Sequence, residues 1–570
     1  MQWVQIYDPL GQPLLSSLVA GIPIFVLLGL LLLGVSAPRA ALAGLAAALA
    51  VAVGLFKMPA SAALAAAAYG ACYGLLPIGW IVVSAVFLFQ LTVHCGQFEI
   101  VKRWVMIISP DRRMQALLIA FCFGTLLEGV AGFGAPVAIS AALLIGVGFR
   151  PLYAAGLALL ANTAPVAFGT LGTPLLMLAQ ASGLSELALS QMAGRQLCFV
   201  AVLIPLWMIA LMSGWKGVKG CWPAILVCGG SYGLLQFLVS NYHGPRLVGV
   251  TSGLGSLAAM VVLMRFWQPK DVWRFPDESP ERSSSIANTV DRAAGPGELS
   301  RAQVAYAWTP WLLLMATVFL WGWPAWQTIL DGGSRENPNL LHGIGKVAVS
   351  VPYLAGRVYR TAPVVEVPAG SAHAADPEKA VYELNWLSTT GSGIFAAAVL
   401  SALWLRIRPA VFFVQLAATV ARIRWALVTM ACMLALAFVT KYSGADATLG
   451  LAFTRTGWFY PLCAPLLGWL GVALTGSDTT ANALFGSLQR ITAEQLGLNT
   501  TLIVASNSTG GVMGKMIAAQ SIVVAAAATA QTGAENKILR FVLFHSVILA
   551  LLMGLLTLAQ AYWLTWMIPK

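Results

Sequence analysis

The sequence predicts an all-α polytopic membrane protein, and two observations support this fold class. Of its 570 residues, 59% are hydrophobic and only 9% are charged, whereas soluble domains carry about 25% charged residues. Apolar stretches of roughly 20 residues, each long enough to cross a bilayer as a helix, recur along nearly the whole chain. Strands of a membrane β-barrel would instead alternate apolar and polar residues.

Ten of these apolar stretches are clear in the sequence. With shorter broken segments between them, they predict roughly 12–14 membrane segments. The ten stretches are 14–34, 40–56, 76–93, 197–212, 222–239, 247–264, 305–323, 386–405, 425–440 and 541–567.

The formal net charge of +12 comes from basic residues that lie between the apolar stretches. By the positive-inside rule, the basic loops face the cytoplasm. Asp8 precedes the first stretch without any Lys or Arg, and Lys537 and Arg540 precede the last, so we expect both termini outside. We expect the lipid bilayer as a partner and no nucleic acid. The basic loops contain Lys102, Arg103, Arg112 and Arg113, and Arg265, Lys270, Arg274, Arg282, Arg292 and Arg301.

Two polar segments divide the chain into five parts. Residues 268–303 are rich in Ser, Pro, Asp and Arg and predict a cytoplasmic linker, whereas 332–383 predict an external loop. The other parts are an N-terminal membrane half (1–267), a connecting span (304–331) and a C-terminal membrane half (384–570).

The eight cysteines and five histidines are dispersed, without the spacing of a set of metal ligands. The sequence also has no His/Cys/Asp cluster, and no serine paired with a base, that would indicate an enzyme. We therefore expect no metal, no cofactor and no enzymatic activity.

Two acidic residues stand out because they interrupt apolar sequence. Of the 21 Asp and Glu residues, only Glu128 and Asp478 lie within otherwise apolar stretches, with Asp446 a marginal third. An ionised side chain at the bilayer centre costs about 2.5–3.5 kcal/mol on insertion scales, so such residues face a protein interior or an aqueous cavity. Burial favours the protonated form of a carboxylic acid, which suits proton coupling. Sodium coupling is the alternative, because Thr479 and Thr480 would supply neutral oxygens beside Asp478.

The segment around Glu128 predicts a broken helix at membrane depth. Gly124, Glu128, Gly132 and Pro136 recur at intervals of four, which is one stripe of a helix if the helix continues. Broken backbone at this depth is tolerated only where it is buried in protein or lines a cavity. Close helix packing through small residues would explain the glycines but not the carboxylate. We expect the break at Gly129, Gly132, Gly134 and Pro136.

The two halves of the chain carry a weak internal repeat. Glu128 is followed after 34 residues by Asn162, and Asp478 is followed after 29 residues by Asn507. Interrupted apolar segments in matching places are typical of secondary transporters built from inverted repeats, with broken helices or re-entrant hairpins. This architecture is therefore the predicted fold.

Polar residues near the two asparagines are candidates for substrate binding. The N-termini of half-helices offer free backbone N–H groups and a positive dipole end, which suit a small carboxylate. Lys515 is either the counter-charge for that carboxylate or a partner for Asp478. The binding candidates are Asn162, Thr163, Asn507, Ser508, Thr509 and Lys515, and the further helix-break candidates are Pro165, Gly510 and Gly511.

Long motifs in the chain resemble the bacterial L-lactate permease family, the lactate/glycolate proton symporters. The similarity is densest in LLEGVAGFGAPVAISAALLIGVGFRPLYAAGLALLANTAPVAFG. It extends through YDPLGQPLLSSL, GRQL, GWLGVALTGSDTTANALFGSLQ, NSTGGVMGKMIAAQSI and AQAYWLTWMIP. The resemblance implies re-entrant hairpins with tips at the Asn-Thr and Asn-Ser pairs. It also implies inner-membrane uptake of L-lactate, D-lactate and glycolate, driven by the proton gradient.

One position departs from the pattern of that family. In TKYSG, Lys441 stands where a neutral residue is expected, beside Tyr442 and Ser443. A cation there could shift the substrate range toward another monocarboxylate, with Tyr442 and Ser443 as further binding candidates. The alternative is that the ammonium snorkels to the membrane interface.

The predicted function is proton-coupled uptake of L-lactate and related small 2-hydroxy monocarboxylates across the bacterial inner membrane. Two alternatives stay open. One is a sodium-coupled symporter of organic anions, and the other is an ion-translocating subunit of a membrane energy-converting complex.

Overall fold

The computed structural model describes residues 2–33, 35–106, 109–130, 132, 134–275, 300–333, 338–365, 377–378, 380–531 and 534–569. Most of the predicted linker, with Arg282 and Arg292, and part of the predicted external loop lie outside the described residues. Helices make up most of the described chain, because its apolar segments satisfy their backbone hydrogen bonds internally.

The N-terminal half contains one short strand and thirteen helices within the described residues. π-helical turns at Gly74–Gly79 and Ala116–Phe123 join consecutive helices, and α12 is kinked at Gly214. The elements are β1 (Trp3–Val4), α1 (Pro13–Ala20), α2 (Ile22–Leu32), α3 (Ala37–Gly54), α4 (Ala60–Tyr73), α5 (Trp80–His94), α6 (Gln97–Met106), α7 (Arg112–Gln115), α8 (Gly124–Val130), α9 (Ala135–Gly146), α10 (Pro151–Ala161), α11 (Gly169–Ser182), α12 (Glu186–Tyr242) and α13 (Val248–Phe266).

The rest of the described chain adds three short strands and ten helices. The elements are α14 (Arg301–Gly322), α15 (Pro324–Leu330), β2 (Val347–Ser350), β3 (Val358–Tyr359), β4 (Val381–Leu384), α16 (Thr390–Trp404), α17 (Pro409–Ser443), α18 (Ala445–Phe453), α19 (Tyr460–Thr475), α20 (Asp478–Gln495), α21 (Thr500–Gly514), α22 (Ala519–Ala528) and α23 (Glu535–Tyr562), with a 3₁₀ turn at Lys515–Ile517.

The described helices confirm the all-α polytopic fold. Nine of them are long and apolar enough to cross a membrane, and the count reaches twelve if each of three bent helix pairs is one span. Twelve is the lower end of the predicted range. The bent pairs are Pro13–Ala20 with Ile22–Leu30 (42°), Pro151–Ala161 with Val166–Ser182 (61°) and Thr500–Ile517 with Gln520–Ala528 (43°).

The short strands mark one face of the molecule. β1 pairs in parallel with β3, and β2 pairs antiparallel with β4. The Gln5 side chain donates hydrogen bonds to the backbone carbonyls of Lys441 and Tyr442, at 3.0 and 3.1 Å. The C-terminal end of α17 therefore lies at the same face as β1, which we call the N-terminal face.

The chain breaks immediately after Glu128. α8 ends at Val130, and φ is +46° at Gly132 and +83° at Gly134, which caps α9. These left-handed conformations suit glycine because it has no Cβ, and Pro136 follows in the first turn of α9. The four-residue stripe of the sequence therefore does not continue as one helix face.

Three of the glycines predicted to break helices, Gly129, Gly510 and Gly511, lie inside helices α8 and α21. α21 runs without interruption through Gly510 and Gly511, so the prediction of a break there is wrong. The helix instead ends at Gly514, and the chain bends after the 3₁₀ turn at Lys515–Ile517. A Cβ at Gly510 would collide with the carbonyl oxygen of Pro465 in α19, so this glycine allows the two backbones to touch. Gly129 likewise lies inside α8, against the backbone of α13.

We predict that Gly510→Ala destabilises the protein, because the added methyl group separates α19 from α21. Overpacking of this kind costs about 1–3 kcal/mol, and the apparent midpoint of thermal unfolding of the purified protein in detergent should fall. Gly230→Ala is the matched control in a helix, because a Cβ there meets nothing within 4 Å. Equal midpoints for the two variants would contradict the contact.

Candidate functional site

A cavity of about 250 Å³ lies between the two halves of the chain. The end of α8 and the start of α11 line it from the N-terminal half, and α17, α20 and the Lys515–Ile517 turn line it from the C-terminal half. Glu128, Asp478 and Lys515 all contribute to its wall. Two acids from different halves and one cation therefore face a single space, which we call the central cavity.

Glu128 is held on the last turn of α8 and is only 4% exposed. The backbone of Gly169 lies so close to its carboxyl group that a Cβ there would be 3.0 Å from Oε1. Within the described chain, no hydrogen-bond partner reaches Oε2 of Glu128. Buried polar atoms in proteins normally have partners, so this oxygen is free to bind a proton or a ligand.

Strained backbone lies next to Glu128. α11 is interrupted by a left-handed turn, with φ of +42° at Thr170, +55° at Leu171 and +77° at Gly172. Such conformations at non-glycine residues cost on the order of 1–3 kcal/mol each and cluster at functional sites. The Thr170 hydroxyl packs against the backbone of Gly132, so the turn and the break after α8 support each other.

Asp478 occupies the first helical position of α20 and is 3% exposed. Its Oδ2 accepts hydrogen bonds from the Ser508 hydroxyl at 2.6 Å and from the Asn482 amide at 3.3 Å. Its Oδ1 has no hydrogen-bond partner among the described residues. Both acids of the central cavity thus keep one carboxyl oxygen available.

Lys515 supplies the positive charge of the central cavity. Its Nζ donates a hydrogen bond of 2.6 Å to the carbonyl of Gly476, at the break before α20. It forms no direct ion pair with a described residue, yet it interacts electrostatically with both Glu128 and Asp478. The two interpretations of Lys515 therefore do not exclude each other, because the ammonium lies near both acids and keeps donors for a ligand.

The other predicted residues in the two asparagine motifs lie at different distances from the cavity. Asn162 ends α10, and its side chain interacts with the Glu128 carboxyl group, although neither amide atom meets the geometry of a hydrogen bond with a described residue. Thr163 bonds back to the carbonyl of Leu159, and Pro165 lies in the break between α10 and α11.

In the second motif, the polar side chains point in two directions. Asn507 donates to Asn482 at 2.9 Å and lies inside α21, not at a hairpin tip. The Thr509 hydroxyl donates to Gln196 at 2.6 Å, away from Asp478. Ser508 is therefore the member of this motif that reaches an acid of the central cavity.

Lys441, Tyr442 and Ser443 do not line the central cavity. Lys441 and Tyr442 line a second cavity nearer the N-terminal face, and the Ser443 hydroxyl bonds to the carbonyl of Thr440. The structure thus separates these three residues from Glu128, Asp478 and Lys515. In the described part of the chain, no group of three or more His, Cys, Asp or Glu side chains could hold a metal ion.

Two threonines of the central cavity, Thr170 and Thr173, lie in the stretch FGTLGTP. The sequence indicates Thr170, because it follows Asn162 and Thr163 in the same stretch broken by prolines, but it does not single out Thr173. The left-handed conformation of Thr170 has no signature of its own, since β-branched residues normally avoid that region.

Buried charges between broken helices, in a chain with many membrane spans, define the class of protein. Discontinuous helices that meet at a midplane cavity are the arrangement of secondary transporters. The protein is a multi-pass membrane transporter.

Comparisons of the sequence with known families and curated proteins agree with this class. The family model described as L-lactate permease matches residues 16–564. The chain is 44% identical over 568 residues to an L-lactate permease of Salmonella typhimurium, covering 100% of both chains. It is also 44% identical over 568 residues to the glycolate permease GlcA of Escherichia coli K12, covering 99% of both. The solved YdaH transporter of Alcanivorax borkumensis matches with a TM-score of 0.44 and 14% identity over 88% of both chains.

The chain belongs to the L-lactate permease family, because the family model matches nearly its whole length. The family predicted from the motifs is therefore confirmed, and so is the expectation that the protein is a transporter and not an enzyme.

We predict that the Ser508–Asp478 hydrogen bond stabilises the folded protein. Ser508→Ala should lower the unfolding midpoint, because a hydrogen bond to a charged group contributes about 1.5–3 kcal/mol. Ser506→Ala is the control in the same helix, since its hydroxyl bonds only to the backbone carbonyl of Ile503. The loss should disappear when Ser508→Ala is made in an Asp478→Ala background, which lacks the acceptor, and additive effects of the two changes would refute the interaction.

Proposed function

We propose that this protein imports L-lactate and related small 2-hydroxy monocarboxylates, including D-lactate and glycolate, together with protons across the bacterial inner membrane. The observation that carries the proposal is the central cavity, where one buried ammonium faces two buried carboxyl groups from opposite halves. Membership in a family whose curated relatives are called L-lactate permease and glycolate permease supports the choice of substrate.

The size and charge of the central cavity suit a small monoanion. Pockets for drug-sized ligands measure about 300–1,000 Å³, and this cavity is smaller, at about 250 Å³. Lys515 offers the counter-charge for a carboxylate, whereas Asn162 lies beside Glu128 and does not line this cavity. The Thr170 and Thr173 hydroxyls line the same space and are suited to a 2-hydroxy group.

Charge balance links the substrate to a proton. When both acids are ionised, Lys515 neutralises only one of them, and a bound carboxylate adds a second uncompensated negative charge. Burying unpaired charge costs several kcal/mol per ion, so binding of the anion favours protonation of an acid. Glu128 is assigned as the principal proton carrier, with Asp478 as the second acid, because Ser508 and Asn482 both donate to the Asp478 carboxylate and favour its ionised form.

The driving force follows from the number of protons carried. One monoanion with one proton is electroneutral, so the pH gradient alone drives uptake. Each further proton adds about 2.3 kcal/mol per 100 mV of membrane potential. In this proposal both termini and the segment with β2 to β4 lie outside, and the linker 268–303 lies in the cytoplasm.

We predict that Glu128→Gln abolishes uptake driven by a pH gradient while leaving some lactate exchange, because a neutral amide cannot carry the proton. Purified protein in proteoliposomes is given labelled L-lactate under an imposed pH gradient, and counterflow measures exchange. Wild-type pH dependence in the variant would remove Glu128 as the coupling acid.

The same vesicles test the rival functions. Replacement of sodium by choline should leave wild-type uptake unchanged, and a loss of uptake would favour sodium coupling at Asp478, Thr479 and Thr480. An ion-translocating subunit would show no uptake of solute by the purified chain alone.

We predict that Lys515→Ala raises the KM for L-lactate by about tenfold or more, the loss expected when one charge-assisted hydrogen bond to a carboxylate is removed. Lys537→Ala is the control, because Lys537 is exposed at the start of α23. An unchanged KM in Lys515→Ala, with normal amounts of folded protein, would exclude Lys515 from the substrate site.

A further inference from the structure

A second polar cavity of about 670 Å³ lies nearer the N-terminal face than the central cavity. We call it the outer cavity. The ends of α11, α17 and α20 line it, together with Pro377 and Glu378. Its polar and charged lining residues include Gln180, Glu186, Glu378, Lys441 and Arg490.

Most charges around the outer cavity are already paired. Glu186, Glu378 and Arg490 each form an ion pair, with Arg246 at 2.8 Å, Arg360 at 2.5 Å and Glu494 at 2.6 Å, respectively. Asp446, the other nearby acid, accepts hydrogen bonds from the Ser487 hydroxyl and the Ala447 amide.

Lys441 is different from these groups. Its ammonium interacts electrostatically with Glu378 and Asp446 but forms no direct ion pair or hydrogen bond with a described residue, and its backbone carbonyl accepts a hydrogen bond from Gln5. A cation whose donors are unused in a polar cavity is suited to a ligand carboxylate. The Gln180 amide lines the same cavity and provides a neutral donor.

The outer and central cavities follow one another along the same three helices. On α17, Met430 lines the central cavity and Lys441 lines the outer one. Eleven residues of helix separate them, a distance of about 16 Å. Several buried apolar side chains lie between the cavities on these helices and belong to one hydrophobic cluster, namely Met177, Met433, Ala437, Leu484 and Leu488.

We propose that the outer cavity is a second binding site, in which Lys441 holds a small carboxylate anion on the N-terminal side of this apolar layer. The identity of its ligand as the transported substrate rests on the proposed function. The anion waits there while the layer between the cavities is closed. Lys441 therefore sets the affinity at one face of the membrane, and Lys515 sets it in the central cavity.

Transport kinetics measured from each face test this site. The full chain is reconstituted with an N-terminal tag, and protease removal of the tag reports its orientation. In Lys441→Asn, the L-lactate concentration for half-maximal entry from the N-terminal face should rise about 5- to 10-fold, as expected for loss of one partly hydrated charged contact. Entry from the opposite face should be unchanged, and Lys441→Arg should retain the wild-type value.

Lys346→Asn is the matched control, because Lys346 lies near β2, pairs with Glu383 at 2.8 Å and does not line the outer cavity. The proposal would be overturned if the L-lactate concentration for half-maximal entry in Lys441→Asn changed equally from both faces, or from neither. A similar change in Lys346→Asn would also overturn it, because the effect would then be one of surface charge alone.

Equilibrium binding of labelled L-lactate to purified protein separates this proposal from the proposed function. The wild type should bind two molecules per chain; one of the two sites should weaken about 5- to 10-fold in Lys441→Asn, and the other about tenfold or more in Lys515→Ala. Two sites of wild-type affinity in Lys441→Asn, or a single site in the wild type, would refute the outer site. Absence of wild-type uptake in proteoliposomes would refute the proposed function while leaving the binding result to decide on the outer site.

Discussion

The rest of the structure depends on one buried ammonium that lies between two buried carboxyl groups. Glu128 comes from the N-terminal half, whereas Asp478 and Lys515 come from the C-terminal half. Isolated charges are expensive in a low-dielectric interior, so each of these groups needs the others nearby. The helix breaks bring these groups together, because the end of α8, the start of α20 and the end of α21 all reach the central cavity.

Much of this arrangement could be predicted because the acids were conspicuous in apolar sequence. The cost of burying charge in lipid identified Glu128 and Asp478 without any knowledge of the fold, and the periodicity of apolar residues gave the membrane class. The span count was harder to predict, because three pairs of helices are bent by 42° to 61° and each pair counts as one span or as two segments.

The remaining details depend on tertiary contacts between residues that are far apart in the chain, and these contacts cannot be read from the sequence. Glycine permits both a left-handed break, as at Gly132, and the touching of two backbones, as at Gly510. The sequence pattern is the same in both cases, and only the presence of α19 beside α21 decides between them. In the same way, the direction of the Thr509 hydroxyl is set by Gln196, more than 300 residues away in the chain.

The bend that follows α21 has a mechanical consequence. Lys515 is the first residue after that helix, and Gln520–Ala528 continues at 43° to it. α21 packs against α19 through direct contact between their backbones at glycines. Among the described residues, no flexible side chain lies between the two helices there, so α21 cannot easily shift against α19. A change in the bend angle would therefore be concentrated between Ile517 and Gln520, just beyond the turn that carries the charge. Lys515 lies on the fixed side of this joint, so flexing would move the segment from Gln520 onward while the ammonium keeps its place at the carbonyl of Gly476.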